Sequence, residues 1–319
     1  MTSKRRCSRA APCCELARPF LVRAPFRLLS SPWHPGSGID MSDYRQVQIG
    51  FIGGGNMAQA IIRGLLTAGH DANSIAVAEP AESQQQAIAG VSDAIEITGD
   101  NASIAAASEM LVLAVKPQVM PEVCQALGDA DRKQQQTIVS VAAGITLDSL
   151  AGWFGADSSI VRVMPNQPAL ISEGMSGLCA GPSVSDTGRQ HAAYLMEATG
   201  KTAWFGDEGL MDAVTAISGS GPAYFYLVME ILQEVAEEFG FDAGTARLLS
   251  TQTGLGASRV ASEDSESLAT LRDQVTSPGG TTDAALTVLE DAGIRDMFRR
   301  ALIAARDRSV ELGKHKGND

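Results

Sequence analysis

Val47-Gln48-Ile49-Gly50-Phe51-Ile52-Gly53-Gly54-Gly55-Asn56-Met57-Ala58 decides the fold. Its first half is an apolar run of strand length. Ala60, Ile61, Ile62, Leu65 and Leu66 then recur at helical spacing, and Gly69 stops the helix. A Gly-x-Gly-x-x-Ala pattern between a strand and a helix is the signature of a dinucleotide-binding turn. Gly53 permits the tight turn, Gly55 lets a diphosphate approach the backbone, and Ala58 permits close helix–strand packing. The helix start offers unpaired N–H groups and a positive dipole end to the phosphates. Ile52, Gly53, Gly54, Gly55, Asn56, Met57 and Ala58 are therefore the first candidate cofactor contacts.

Downstream, a second strand over 75–78 ends at Glu79, about 25 residues from the glycine turn. That spacing suits the acid that bonds an adenosine ribose. Glu79 would favour NADH and repel the extra phosphate of NADPH, and no Lys or Arg follows in 81–89 to hold that phosphate. Glu79 also reads as a solvated loop acid. Strand-like runs continue at 110–115, 137–141 and 160–164, separated by helical stretches such as 119–127 and 147–150. This alternation implies a parallel, doubly wound sheet with ligands at the C-terminal ends of its strands. Ala114, Val115, Lys116 and Pro117 stand at one such end, Ala142 and Ala143 at another, and Asn166 at a third. Nicotinamide contacts belong there, although Lys116 reads equally as an ordinary loop cation.

Beyond Gly206 the alternation stops. Residues 210–238 are apolar and helical in pattern, about 45 Å if continuous, with Ser218-Gly219-Ser220-Gly221-Pro222 inside. Small residues and a proline there mark a kink or a close approach by another chain. Further helices are expected over 243–260 and 295–312. Helices this apolar need a cover, so an oligomer is expected. A second glycine-bearing turn, Val275-Thr276-Ser277-Pro278-Gly279-Gly280-Thr281-Thr282-Asp283, precedes another helical pattern. Its amides suit a carboxylate, and the alternative is a helix cap with two redundant threonines.

Composition narrows the class. The chain has 319 residues, 45% of them hydrophobic, and a net charge of −12. Residues 1–40 hold seven bases and two acids, so the remainder is more acidic than that total. Such a body repels nucleic acid and anionic membranes, and no run of about twenty apolar residues marks a membrane span. Cys7, Cys13, Cys14, Cys124 and Cys179 show no metal-ligand spacing and no C-x-x-C pair. They suggest a reducing cytosol, with Cys124 and Cys179 as small buried hydrophobes. No metal site is expected. His34, His70, His191 and His315 lie in no motif and read as surface or loop residues. The Arg-rich residues 1–40 fit a transit peptide loosely, or translation starting at Met41.

Together the motifs resemble the pyrroline-5-carboxylate reductase family. The carrying segments are Gly50 to Met57, Ala114-Val115-Lys116-Pro117, Ala142-Ala143-Gly144, Met164-Pro165-Asn166, Ser218-Gly219-Ser220-Gly221-Pro222-Ala223 and Ser277-Pro278-Gly279-Gly280-Thr281-Thr282. The resemblance implies an α/β Rossmann-type doubly wound sheet followed by an all-α C-terminal dimerisation domain. The expected division is 1–45 as an extension, 46–207 as the dinucleotide-binding domain and 208–319 as the helical substrate and dimerisation domain. It implies reduction of L-1-pyrroline-5-carboxylate to L-proline, the last step of proline biosynthesis, with NADPH or NADH. It implies homodimers that assemble further, commonly to decamers, in the cytoplasm. It places the substrate carboxylate on Ser277, Gly279, Gly280 and Thr281, and Thr282 at the ring nitrogen as the catalytic contact. Asn101 looks like the adenosine-side contact, and Lys116 lies in the nicotinamide loop. Gln167 departs from the family, standing where Thr is commoner, and Glu79 stands where NADP-preferring members carry small hydroxyl residues.

Two rivals belong to other classes. A β-hydroxyacid dehydrogenase shares the glycine turn and helical second domain, but needs a basic Lys on the first long helix, and 210–238 contains none. A catalytically silent dinucleotide-binding protein would not need the intact 277–282 segment.

Overall fold

The glycine turn lies where the sequence puts it, between β1 (Ile49–Ile52) and α1 (Asn56–Thr67). The structure is a computed structural model that describes residues 44–128, 133 and 135–314. His34, His315, Cys7, Cys13, Cys14 and nearly all of the expected extension lie outside the described residues. From α1 the chain runs through β2 (Ile75–Ala78), α2 (Glu82–Ala89), β3 (Glu96–Thr98), α3 (Asn101–Ala107), β4 (Met110–Leu113) and α4 (Met120–Gly128). It continues through β5 (Thr137–Ser140), α5 (Leu147–Phe154), β6 (Ser159–Met164), β7 (Gly174–Ala180), α6 (Asp186–Glu197) and β8 (Gly200–Trp204).

The strands form one sheet in the order β3-β2-β1-β4-β5-β6-β7-β8. Ile49 pairs with Ile75 on one side and Met110 on the other, both in parallel register. The order therefore reverses at β1, and such sheets bind ligands outside the C-terminal ends of the strands at that reversal. Strand alternation feeds two cores. Phe51, Val77 and Val112 pack with Ile61, Ile62 and Leu65 of α1 on one face. Ile52, Leu111 and Leu113 pack with Ile104, Cys124 and Leu150 on the other. Gly50 faces the second layer, where a Cβ would collide with Ser108 and Ile104 of the α3 end.

The sheet is not wholly parallel, because β7 runs antiparallel to β6. β3, β7 and β8 carry no strong sequence signal. β3 has three residues, and β7 (GMSGLCA) and β8 (GKTAW) are rich in Gly and small residues that have weak strand preference. Pairing with β2, with β6 and with one another makes them strands.

The all-helical part follows: α7 (Met211–Val214), a π-type turn over Thr215–Gly219, α8 (Gly221–Glu238), α9 (Ala243–Glu263), α10 (Leu268–Gln274), α11 (Thr281–Asp291) and α12 (Ile294–Lys314). The long 210–238 helix is thus three segments joined almost without a break. Pro222 sits in the first turn of α8, where its missing N–H costs nothing. The close approach made by the small residues comes from within the chain: a Cβ on Gly219 would lie 2.5 Å from Met164 Cε of β6. α8 packs on α9, and α12 returns onto α7 and the π-type turn. Phe225, Leu227 and Ile231 of α8, Leu248 and Leu255 of α9 and Val288 of α11 are exposed.

Candidate active site

Gly53 has φ +96°, a left-handed conformation that suits glycine. An added Cβ would stand 2.9 Å from Val115 Cγ1 and 3.0 Å from the Ala114 carbonyl. The turn is thus wedged against the end of β4. Gly55 is the opposite case. It caps α1 with φ −67°, has no side-chain capping bond, and a Cβ there would meet nothing within 4 Å. An uncapped helix start facing open space suits a diphosphate. Asn56 is exposed, Met57 half-buried and Ala58 fully buried, so Ala58 packs while Asn56 faces the opening.

Glu79 follows β2 and is 9% exposed. Its Oε2 accepts from the Gly54 N–H at 2.7 Å and its Oε1 from the Ala81 N–H at 2.8 Å. The carboxylate therefore braces the glycine turn from the neighbouring strand. Asn101 begins α3 just past β3, beside Asp100, whose carboxylate caps that helix by accepting from the Ala102 N–H at 2.9 Å.

At the expected nicotinamide end, Lys116 is exposed, and Ala114, Val115 and Pro117 are half-buried. Ala142 is buried and Ala143 exposed. Their neighbour Gly144, at φ +73°, lies against the end of α12: a Cβ would sit 3.6 Å from Leu312 Cβ. Asn166 faces the helical part. Its Oδ1 accepts from the Met175 N–H at 2.9 Å and its Nδ2 donates to the Ser218 carbonyl at 3.2 Å. Asn166 thus ties β6, β7 and the π-type turn together. Gln167 Oε1 accepts from the Tyr226 hydroxyl at 3.0 Å.

The second glycine turn connects α10 to α11. Gly279 adopts φ +70°, and no side chain caps α11, whose N-cap is Gly280. Two amides of the turn are engaged locally, Gly279 N–H to Asp283 Oδ2 at 2.8 Å and Gly280 N–H to the Ser277 carbonyl at 2.9 Å. The amides of Thr281 and Thr282 lie in the first turn of α11 and have no intrahelical acceptor. Ser277 and Thr281 are exposed and Thr282 is half-buried.

A partly buried ionic group escaped the sequence reading. Arg162 of β6, Glu208, Asp212 of α7 and Ser309 of α12 form one connected set. Arg162 inside an otherwise apolar strand run was the signal available. The histidines also need correction. His70 is a loop residue but buried, with Nδ1 3.0 Å from the Tyr194 hydroxyl, and His191 is half-buried on α6. Cys124 and Cys179 are free and buried, and burial pushes their thiols up to about 12 and about 11. Both are inert at neutral pH.

Comparison with known proteins bears on this arrangement. Residues 208–312 match the family model described as pyrroline-5-carboxylate reductase dimerisation, and 48–144 match NADP oxidoreductase coenzyme F420-dependent. A pyrroline-5-carboxylate reductase of Pseudomonas aeruginosa is 44% identical over 270 residues, covering 85% of this chain and 98% of the relative. The solved structure of a pyrroline-5-carboxylate reductase from Coxiella burnetii is 41% identical, with a TM-score of 0.79 over 84% of this chain and 98% of that one. A Plasmodium falciparum pyrroline carboxylate reductase with NADP bound is 26% identical, with a TM-score of 0.75 over 84% and 99% of the two chains. The dimerisation match falls on the same helices that expose apolar side chains. This chain belongs to the pyrroline-5-carboxylate reductase family.

Proposed function

We propose that this chain reduces L-1-pyrroline-5-carboxylate to L-proline with NADH or NADPH. One observation carries the reading: a single chain holds two helix starts without side-chain caps, each behind a glycine turn. One suits a diphosphate, the other a carboxylate.

The residues present suit a dinucleotide. Ile52, Gly53, Gly54, Gly55, Asn56, Met57 and Ala58 would hold the diphosphate, and Glu79 and Asn101 the adenosine side. Ala114, Val115, Lys116, Pro117, Ala142 and Ala143 would border the nicotinamide. Asn166 would act there through the backbone it ties together. A bound nicotinamide supplies the hydride for the C=N carbon. Ser277 would hydrogen-bond the substrate carboxylate together with the amides of Thr281 and Thr282. The Gly279 and Gly280 amides, already engaged within the turn, would shape that cradle. The Thr282 hydroxyl would orient the imine nitrogen and bond the amine as it forms. A protonated cyclic imine is already electrophilic, so positioning within about 3–3.5 Å does most of the work. That chemistry asks for no histidine, and buried His70 and half-buried His191 stay in packing roles.

The expected domain division, 46–207 and 208–319, follows the change from sheet to helices near Glu208. The working unit is a homodimer built on the exposed faces of α8, α9 and α11, assembling further to a ring such as a decamer. The odd number of cysteines with no C-x-x-C pair supports a cytoplasmic setting. No helix among the described residues is long and apolar enough to cross a membrane. Light scattering of the full chain reads the assembly. The activity test is dinucleotide oxidation with pyrroline-5-carboxylate, beside a 3-hydroxyisobutyrate-type acid with NAD. Turnover of the imine alone supports the reading. Turnover of the hydroxy acid alone, or nucleotide binding without turnover, overturns it.

A further inference from the structure

We propose that a polar cavity at the N-terminal edge of the sheet binds a small organic ammonium ion, held by Gln136 Oε1, the Ser159 hydroxyl and the Glu109 carboxylate. This site goes beyond the reductase reading and does not rest on it.

Glu109, Gln136 and Ser159 stand where β4, β5 and β6 begin, and these strands run parallel to β1. The glycine turn follows the far end of β1, so the cavity opens on the opposite edge of the sheet. It has a volume of about 900 Å³ and extends from the loop after α5 to the start of α6. Gln136 Oε1, Ser159 Oγ and His191 Nδ1 are buried, without a hydrogen-bond partner among the described residues, and all three residues line this cavity. Gln136 is 4% exposed and its amide is locked. Its Nε2 donates to the Ala105 carbonyl at 2.6 Å and to the Ser108 carbonyl at 2.9 Å. Both hydrogens are thus engaged, and Oε1 is fixed as an acceptor. A buried acceptor left unpaired is costly, so it marks a place for a donor. Gly188 of α6 keeps two hydroxyls open beside it. A Cβ there would lie 3.0 Å from Ser159 Oγ and 3.2 Å from Thr137 Oγ1.

Charge selects the class of ligand. Glu109 and Asp157 line the cavity against one base, Lys133. Burial holds the His191 imidazole below its ordinary pKa, so at neutral pH the ring carries no charge to offer an anion. The start of α6 is no anion seat either. Ser185 Oγ accepts from the Gly188 N–H at 3.1 Å, and Asp186 lies in the first turn. A carboxylate or phosphate would therefore meet a fixed acceptor and two acids. A neutral polyol would satisfy the acceptors and leave the acids unused. A primary ammonium brings three N–H donors and a positive charge, which answers both.

The test is titration calorimetry on the full-length protein with putrescine, beside erythritol, sodium acetate and ammonium chloride at matched ionic strength. Putrescine should bind saturably, with a Kd of about 1 mM or tighter. Glu109→Gln changes an exposed side chain and should weaken binding about threefold or more. Gln136→Leu should weaken it roughly tenfold or more. That variant also strips the Ala105 and Ser108 carbonyls of their donor, so unfolding temperatures are measured throughout. If it unfolds early, Ser159→Ala decides, because the hydroxyl it removes has no partner in the free chain. It should weaken putrescine about threefold. Support is saturable putrescine binding that falls in these variants. No binding by the unaltered chain, affinity unmoved by Glu109→Gln and Ser159→Ala, equal heat from ammonium chloride, or tighter binding of erythritol or acetate would overturn the proposal. Either result leaves the turnover of pyrroline-5-carboxylate to its own assay.

Discussion

Arg162 Nη1 donates to Glu208 Oε1 at 2.7 Å, from a side chain only 5% exposed. The same oxygen accepts from the Leu147 N–H at the start of α5 at 2.8 Å. Arg162 Nη2 lies 4.0 Å from Asp212 Oδ1, and that oxygen accepts from the Ser309 hydroxyl at 2.7 Å. β6, α5, α7 and α12 therefore meet at one ionic joint, which links the sheet to the helices. Arg162→Met removes the buried member and leaves Glu208 and Asp212, 26% and 22% exposed, where water can take over part of the pairing. The change should cost about 1–2 kcal/mol of stability, seen as a lower denaturation midpoint. The double variant with Glu208→Gln should lose less than the sum of the two single changes. Additive losses would mean that the pair is not coupled.

The glycine turn offers a contrast between two residues two positions apart. Gly53→Ala places a Cβ against the Ala114 carbonyl and Val115 at φ +96°. It should lower the melting temperature as well as weaken dinucleotide binding. Gly55→Ala meets no protein atom within 4 Å at an ordinary φ of −67°. It should keep the melting temperature while weakening cofactor binding roughly tenfold, about 1.4 kcal/mol. Calorimetry and a binding titration separate the two. Tight binding by Gly55→Ala would place the diphosphate elsewhere.

Burial holds the His70 and His191 imidazoles below their ordinary pKa, against the opposing pull of Asp71 on the first and Glu109 on the second. A depressed value in the folded chain means that the unfolded chain binds protons first as pH falls. Stability should be complete above about pH 6.5. It should decline below that, down to the pH at which the folded rings protonate too. Replacing both rings by Phe should flatten this part of the stability profile. An unchanged slope between about pH 6.5 and pH 5 would assign it to carboxylates instead.

Thr282 is half-buried in the first turn of α11, with its amide lacking an intrahelical acceptor. Thr282→Ala should lower kcat roughly tenfold or more while dinucleotide affinity stays nearly constant. Ser277→Ala should act mainly on KM for the imino acid, because the carboxylate is bound in the ground state as well. Steady-state kinetics beside a cofactor titration resolve both. Unchanged kinetics in Thr282→Ala would remove that residue from the mechanism.

The sheet up to β6 was legible because its strands are short continuous apolar runs and its turn carries glycines at fixed offsets. β3, β7 and β8 were not, since they lack β-branched runs and owe their form to neighbours. Gly219 and Pro222 announced an irregularity, but its nature, a π-type turn against Met164, depends on β6 packing that no local pattern encodes. At the site, the conformations of Gly53 and Gly55 could be read directly because each answers a backbone requirement. The Glu79 bond to Gly54, the tie from Asn166 to Ser218 and the joint around Arg162 were hidden, because each joins residues far apart in sequence.

The central claim is geometric: the diphosphate turn and the carboxylate cradle serve one reaction centre. A crystal structure of the full assembly with a nicotinamide dinucleotide and L-proline measures it directly. The expected result is nicotinamide C4 within about 3–3.5 Å of the proline ring carbon that receives hydride, the proline carboxylate on Ser277 and the Thr281 amide, and the Thr282 hydroxyl at the ring nitrogen. A structure with 277–282 facing solvent in every subunit, while dinucleotide and proline occupy another site, would contradict the account.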